Sequence, residues 1–421
     1  MRSQNPLKSA LLAATFGICL SAAALSFRPA VSLETPAASA AILTPAAQKT
    51  PISPDIANSD NPGIVEIKAP ELANYKRIIA VSDVHGMYYE VWHLLMASGV
   101  IEMNAVADKQ NGKETGTLKW QPQWHGSGNL IVVVGDSIDK GPQSLEVLKL
   151  WYDLQQQTKN NNRIVVLLGN HEAEYLAAPL HKKSLIAHQE LIGQGYQPDD
   201  LAKPAFLTKD GYPLGKFMRG MPLAARIGDW LFSHAGWIPD ADIIAPGQSE
   251  PATRWATFKA KATEIVRGGK YAQLVIASGD EADVVEPDTE GVFVPILEKK
   301  VDVDGKKWWK TEIPTLEARL TAYGLYGSAF GHRPTAFGLE DAVGVSSPQD
   351  YRLVKIDSGM GVPGAPKVKD EGAVTAWQPP YMGHLLIFAD PSELAQQKPP
   401  TLQSVGFSKM PLVTLPAAGV K

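Results

Sequence analysis

Three segments of the chain share one pattern of apolar and polar positions. RIIAVSDVHG (Arg77–Gly86), LIVVVGDSIDKGP (Leu130–Pro142) and RIVVLLGNHE (Arg163–Glu172) each carry four or five consecutive apolar residues. Each run then stops in a cluster of Asp, Asn or His. Short runs that are apolar at every position predict strands buried on both faces. Helical spacing lies between them. Tyr89, Trp92, Leu95 and Met96 fall on one face of Met87–Ser98, and further helices are expected over Ser144–Gln157 and through most of Glu174–Gln194. The first half therefore alternates strand and helix, an α/β pattern.

Other elements are weaker. Ile64–Ile67 reads as a short edge strand. Glu102–Gly128 is polar, and Asn111-Gly112 with Trp120, Pro122 and Trp124 predicts a hairpin packed over the domain. Leu223–Ile227 and Trp230–Ser233 read as two strands joined by a Gly228-Asp229 turn. Residues 239–315 are read as an insertion or cap with short β-like runs at Tyr271–Ala277 and Val292–Leu297. Leu316–Tyr323 reads as a helix. Strands are expected over Leu325–Phe330, Arg352–Ile356 and His384–Phe388, the last at an edge.

The ends differ from this body. Arg2 and Lys8 precede a nearly continuous apolar run from Ala10 to Leu25, and small-residue A-x-A sites follow, which is the pattern of an export signal over residues 1–27. Residues 28–62 are rich in Ala, Pro, Ser and Thr and read as a disordered linker. The working domain is placed at 63–390, with a loosely held Pro-rich tail over 391–421. The expected location is periplasmic or extracellular, with membrane contact only if the N-terminal segment is not cleaved. Cys19, the sole cysteine, lies inside that segment, so disulfides are not what holds the mature chain together. A formal net charge of −4 gives no footprint for nucleic acid.

The polar residues at the predicted strand ends are Asp83, His85, Asp136, Asp139, Asn170, His171, His234 and His332. Asp83 and His85, two apart on an extended backbone, would point to the same side. Without Asp139 and His171, the set offers two carboxylates, three imidazoles and one amide. Such mixed oxygen and nitrogen donors suit two divalent cations, manganese, iron or zinc rather than calcium. Paired cations roughly 3.5–4 Å apart can generate hydroxide from water and clamp an in-line displacement at phosphorus. His171 and Asp139 then fit as general acid and orienting carboxylate. Lys140, Arg333 and either Arg219 or Lys310 are the candidate cations for phosphoryl oxygens. His93, His125, His181, His188 and His384 carry no comparable spacing and are read as surface, loop, core or substrate-facing residues.

These clusters resemble the calcineurin-like metallophosphoesterases, and more narrowly the PPP phosphoprotein phosphatases of the bacterial Shewanella-like branch. Asp83–Gly86 is similar to the family's GDxHG, with Ser82 for the leading Gly. Gly135–Gly141 resembles GDxxDRG, Gly169–Glu172 is GNHE unchanged, His234-Ala235-Gly236 is similar to HGG, and Gly331-His332 to the last GH. The resemblance implies a central β-sandwich flanked by helices. It implies that Asp83 and His85 hold a first metal, that Asp136 bridges, and that Asn170, His234 and His332 hold a second. His171 would be the acid, held by Asp139. Lys140 falls where the family has an arginine, and Lys310 near a second one. Lysine keeps the charge but lacks the bidentate fork, which opens the substrate to phosphoproteins or small phosphate esters. The expected activity is phosphomonoester hydrolysis. A phosphodiesterase or dinucleotide-polyphosphate hydrolase on the same scaffold, and a silent metal- or phosphate-binding surface protein, are the alternatives.

Overall fold

Alternate residues of the apolar strands sort into two different cores, which is why those strands are apolar at every position. A computed structural model describes residues 61–110, 113–157, 161–275, 291–299, 308–332, 352–360, 383–406 and 413–414. In chain order the elements begin β1 (Ile64–Ile67), α1 (Ala69–Leu72), β2 (Arg77–Val81), α2 (Tyr88–Ala97), β3 (Ile101–Gln110), β4 (Lys113–Trp124), β5 (Asn129–Val133), α3 (Ser144–Gln156) and β6 (Arg163–Val166). Next come α4 (Asn170–Ala177), α5 (Leu185–Gly193), α6 (Leu214–Arg219), β7 (Ala224–Ile227), β8 (Trp230–Ser233), α7 (Ala241–Ile244) and α8 (Pro251–Arg267). The rest are α9 (Val294–Glu298), α10 (Trp308–Thr311), α11 (Ile313–Ala322), β9 (Gly327–Phe330), β10 (Leu353–Lys355), β11 (His384–Phe388), β12 (Leu402–Gly406) and β13 (Val413–Thr414).

Two sheets carry the domain. One runs β13-β12-β11-β2-β5-β6 and the other β1-β7-β8-β9-β10. Ile78, Ala80, Leu130, Val132 and Phe388 of the first meet Ile227, Trp230, Phe232, Ala329 and Val354 of the second in the inter-sheet core. The intervening residues, Ile79, Val81, Ile131 and Val133, face outward to Val91, Leu94 and Leu95 of α2 and Leu148 and Trp151 of α3. This is the expected α/β architecture, a sandwich with helical layers. Strands β2, β5 and β6 are parallel and in step. Their carboxyl ends therefore emerge side by side, which brings Asp83, Asp136 and Asn170 to one edge.

Several expectations are corrected. β11 is not an edge strand: it lies between β2 and β12. The chain beyond 391 is not merely a loose tail, because β12 pairs along all of β11. The described parts of 239–315 are helical, with a single 3-10 turn at Tyr271–Gln273 and α9 where β-like runs were expected. Nor is α8 a cap. Trp255, Phe258, Ala262, Ile265 and Val266 recur at helical spacing and are buried, and Trp255 Nε1 donates to Glu66 Oε1 of β1 at 2.7 Å. That helix is a flanking layer of the second sheet. The β3–β4 hairpin forms as expected, with residues 111 and 112 of its turn outside the described set. The expected signal and all but the last two residues of the expected linker, residues 1–60, lie outside it as well. Among the described residues no helix is long and apolar enough to cross a membrane.

Candidate metal centre

Six site residues share an unusual backbone. Asp83, His85, Asp136, Asp139, Lys140 and His332 all have φ between 49° and 67°, and they are six of the eight non-glycine residues with positive φ among those described. The left-handed region costs a side-chain-bearing residue of order 1–3 kcal/mol. The sharp turns after β2, β5 and β9 aim these side chains at one point, so Asp83 and His85 converge by left-handed turns and not by the two-residue repeat of an extended strand. Glycines make the approach possible. A Cβ on Gly169 would collide with Asp136 Oδ1, and one on Gly331 with Ser82 Oγ and Asp83 Oδ2.

Asp136 is the centre. Its Oδ1 accepts the His171 backbone N–H at 3.0 Å. Its Oδ2 lies 3.3 Å from His234 Nε2, 3.6 Å from His85 Nε2 and 4.0 Å from His171 Nε2. Two donor triads share this carboxylate, His85–Asp136–His171 and Asp136–His234–His332. The imidazoles are aimed by their other nitrogens, as metal-ligating histidines usually are. His85 Nδ1 is 3.2 Å from Ile138 O, and His234 Nδ1 is 2.9 Å from Val134 O. Asn170 Oδ1 and His332 Nδ1 each lie 3.0 Å from His234 Nε2. Asp83 Oδ2 accepts from Ser82 Oγ and from the His332 N–H, the latter at 2.9 Å, while Oδ1 lies 3.8 Å from His85 Nε2.

The electrostatics follow from burial and crowding. Burial pushes Asp83 above its ordinary range, and Asp136 beside it adds to that. Asp357, also buried, is pushed well up by burial and by Asp83. Asp136 is held well below despite burial, by His234, His171 and His85. For His234 burial works the other way, but Asp136 outweighs it and lifts the imidazole to about 10. Several buried carboxylates and imidazoles at this spacing, with ring nitrogens and carboxylate oxygens turned inward, fit a pair of divalent cations of the kind that take both N and O donors.

His171 stands beside this set. Its Nδ1 lies 3.1 Å from Asp139 Oδ2, and Asp139 Oδ1 accepts from the Ala187 N–H at 3.3 Å. Burial lowers His171, but Asp136 and Asp139 raise it above its ordinary value. Lys140 Nζ is 2.6 Å from His85 Nε2, so a cation does reach the cluster. Arg219 does not serve as expected. It is buried, its Nε donates to Ala202 O at 2.8 Å, and its guanidinium lies over the Tyr271 ring. Arg333 and the side chain of Lys310 lie outside the described residues. Trp308 is core, packed edge-on against Trp237.

Two acidic residues had no role in the sequence reading. Glu172, fully buried, accepts N–H groups from Asp136, Ser137, Ile138 and Gly169 at 2.7–3.1 Å. Burial pushes its carboxyl up to about 7, against the pull of those N–H groups. A Glu three residues after the Gly169 cap was the available signal, a capping-box position. Glu174, one turn beyond Asn170, accepts from Asn170 Nδ2 at 3.0 Å.

The model of the calcineurin-like phosphoesterase family matches residues 76–342, more than half of the chain and the whole of this cluster. The chain belongs to the calcineurin-like phosphoesterase family. Among curated relatives of this phosphoesterase, the symmetrical bis(5'-nucleosyl)-tetraphosphatase of Vibrio vulnificus is 29% identical over 29% of this chain and 39% of its own length. That of Neisseria meningitidis is 27% identical over 36% and 45%. The chain thus spans less than half the length of these relatives. A solved structure, the cold-active protein-tyrosine phosphatase of a psychrophile Shewanella species, aligns with a TM-score of 0.46 at 18% identity, covering 84% of this chain and 82% of that one.

Proposed function

We propose that this phosphoesterase is a metal-dependent phosphatase that hydrolyses phosphomonoesters on a protein or a small molecule. The observation that carries the reading is Asp136. One oxygen is tied to the backbone, and the other stands 3.3 Å from His234 Nε2 and 3.6 Å from His85 Nε2, the imidazoles assigned to the two cations. Asp83 and His85 would hold one divalent cation, Asn170, His234 and His332 the other, with Asp136 shared. Bound there, the cations would draw charge from the phosphoryl oxygens and acidify a water.

The protein's own groups supply the rest. His171 has Nδ1 committed to Asp139, so Nε2 is the nitrogen free to carry a proton inward. Asp136 and Asp139 favour its charged form, which suits it to protonate the departing oxygen. Lys140, on a long flexible stem, would meet a phosphoryl oxygen as a point charge. The donor set accepts manganese, iron or zinc. The charged-then-apolar N-terminus supports export to the periplasm or beyond, which fractionation with sequencing of the mature N-terminus would test.

A second reading is dinucleotide-polyphosphate hydrolysis, favoured by the names of the two relatives above. A panel separates them. Faster turnover of phosphopeptides or aryl monophosphates by the Mn-loaded protein is expected. Rapid cleavage of a bis(5'-nucleosyl) tetraphosphate with poor monoester turnover would favour the second reading. Two bound metals without hydrolysis of either would leave a binding protein.

A further inference from the structure

We infer that Glu174, keyed by Lys183, is a positioning residue that presents Asn170 to the metal centre. The inference rests on the two-cation reading above. An amide can offer either its oxygen or its nitrogen, and only the oxygen can serve a cation. Which end faces inward is decided by what holds the other end. Asn170 Nδ2 donates to Glu174 Oε1 at 3.0 Å, and Oδ1 is thereby turned to within 3.0 Å of His234 Nε2. The two residues sit one turn apart on α4, both buried.

The Glu174 carboxylate is itself held. Lys183 Nζ is paired with the same Oε1, and Glu298 of α9 reaches that carboxyl too. Lys183 lies in the short turn over Lys182–Ser184 that leads into α5. Four residues on, the Ala187 N–H donates to Asp139, which holds His171. One stretch of chain therefore supports both parts of the site, through Lys183–Glu174–Asn170 on one side and Ala187–Asp139–His171 on the other. Glu174 meets no reacting atom in this arrangement. Its part is to remove the wrong rotamer of a metal-holding amide.

The test compares the full-length protein with Glu174→Met, which keeps length but loses the acceptor, and with Glu174→Gln, which keeps one acceptor oxygen. Manganese binding is followed by calorimetry, and the exchange-coupled Mn pair by electron paramagnetic resonance. The wild type should bind two Mn ions. Glu174→Met should weaken one of the two steps by about 10–100-fold, the usual cost of losing such an outer partner, leave the other within about threefold, and lose the coupled-pair signal at Mn concentrations that saturate the wild type. Glu174→Gln should fall between. Two wild-type steps in Glu174→Met, or equal weakening of both, would overturn the inference. If Glu174→Met does not fold, Glu174→Gln decides by the same criterion, with weakening confined to one step as the expected result and two unchanged or equally weakened steps as the overturning one. Fewer than two Mn ions in the wild type would instead defeat the two-cation reading itself.

Discussion

Removing the Glu172 carboxylate should undo the loop that carries the bridging aspartate. Four backbone N–H groups, from Asp136, Ser137, Ile138 and Gly169, end on its two oxygens at 2.7–3.1 Å, and the side chain is fully buried. A buried donor left without a partner costs about 1–3 kcal/mol. Glu172→Ala orphans four. Entry of a water into the space would satisfy one or two, so the net loss should be about 3–4 kcal/mol, a large part of the roughly 5–15 kcal/mol that holds a typical protein together. Glu172→Gln retains an oxygen for Ser137 and Ile138, but its amide nitrogen meets the N–H groups of Asp136 and Gly169, donor against donor. It should lose about 2 kcal/mol, although nearly isosteric. Urea unfolding of the metal-free protein, followed by tryptophan fluorescence at a pH above the value of about 7 to which burial lifts this carboxyl, so that it is ionised, measures both. A loss below about 1 kcal/mol in Glu172→Ala would refute the assignment of this carboxylate as the anchor of the loop.

Other substitutions test separate parts of the account. His171→Asn should keep two metals bound and lower turnover at least 10²-fold; unchanged turnover would remove His171 from the chemistry. Gly331→Ala would drive a Cβ into Ser82 Oγ and Asp83 Oδ2, so metal affinity should fall at least tenfold, and wild-type affinity would show that the turn yields easily. Glu190 accepts the N–H groups of Ser144 and Leu145 at the start of α3, and burial lifts it to about 7. The native state then keeps a proton that the unfolded chain loses near pH 4.5, so this stabilisation is complete below that pH and is lost as pH rises through 7. Glu190→Gln should therefore gain on the wild type by ~2–3 kcal/mol between pH 4.5 and 7.5, and a pH-independent difference would contradict the shift.

What was legible in the chain was its punctuation. An apolar run that stops at Gly135-Asp136 or Gly169-Asn170 announces a strand end and the polar group placed there, and β2, β5, β6 and β8 formed as expected with their site residues at one edge. Non-local contacts were not legible. β12 is a strand because β11 offers it an edge, and LQSVG between proline-rich stretches gives no local sign of that. Helix α8 had its signal, Trp255, Phe258, Ala262 and Ile265 at three- and four-residue spacing, hidden among Lys, Thr and Ala. Charge alone makes Arg219 a candidate cation, although its guanidinium fills a buried position against Tyr271. The convergence of Asp83 and His85 was expected for a different reason from the one found, since left-handed turns bend both residues inward.

Crystals of the Mn-loaded protein, with anomalous diffraction recorded at the metal edge, test the central claim most directly. Two peaks about 3.5–4 Å apart, both within bonding distance of Asp136, one flanked by Asp83 and His85 and the other by Asn170, His234 and His332, are the predicted result. A single peak, or two that do not share Asp136, would contradict it.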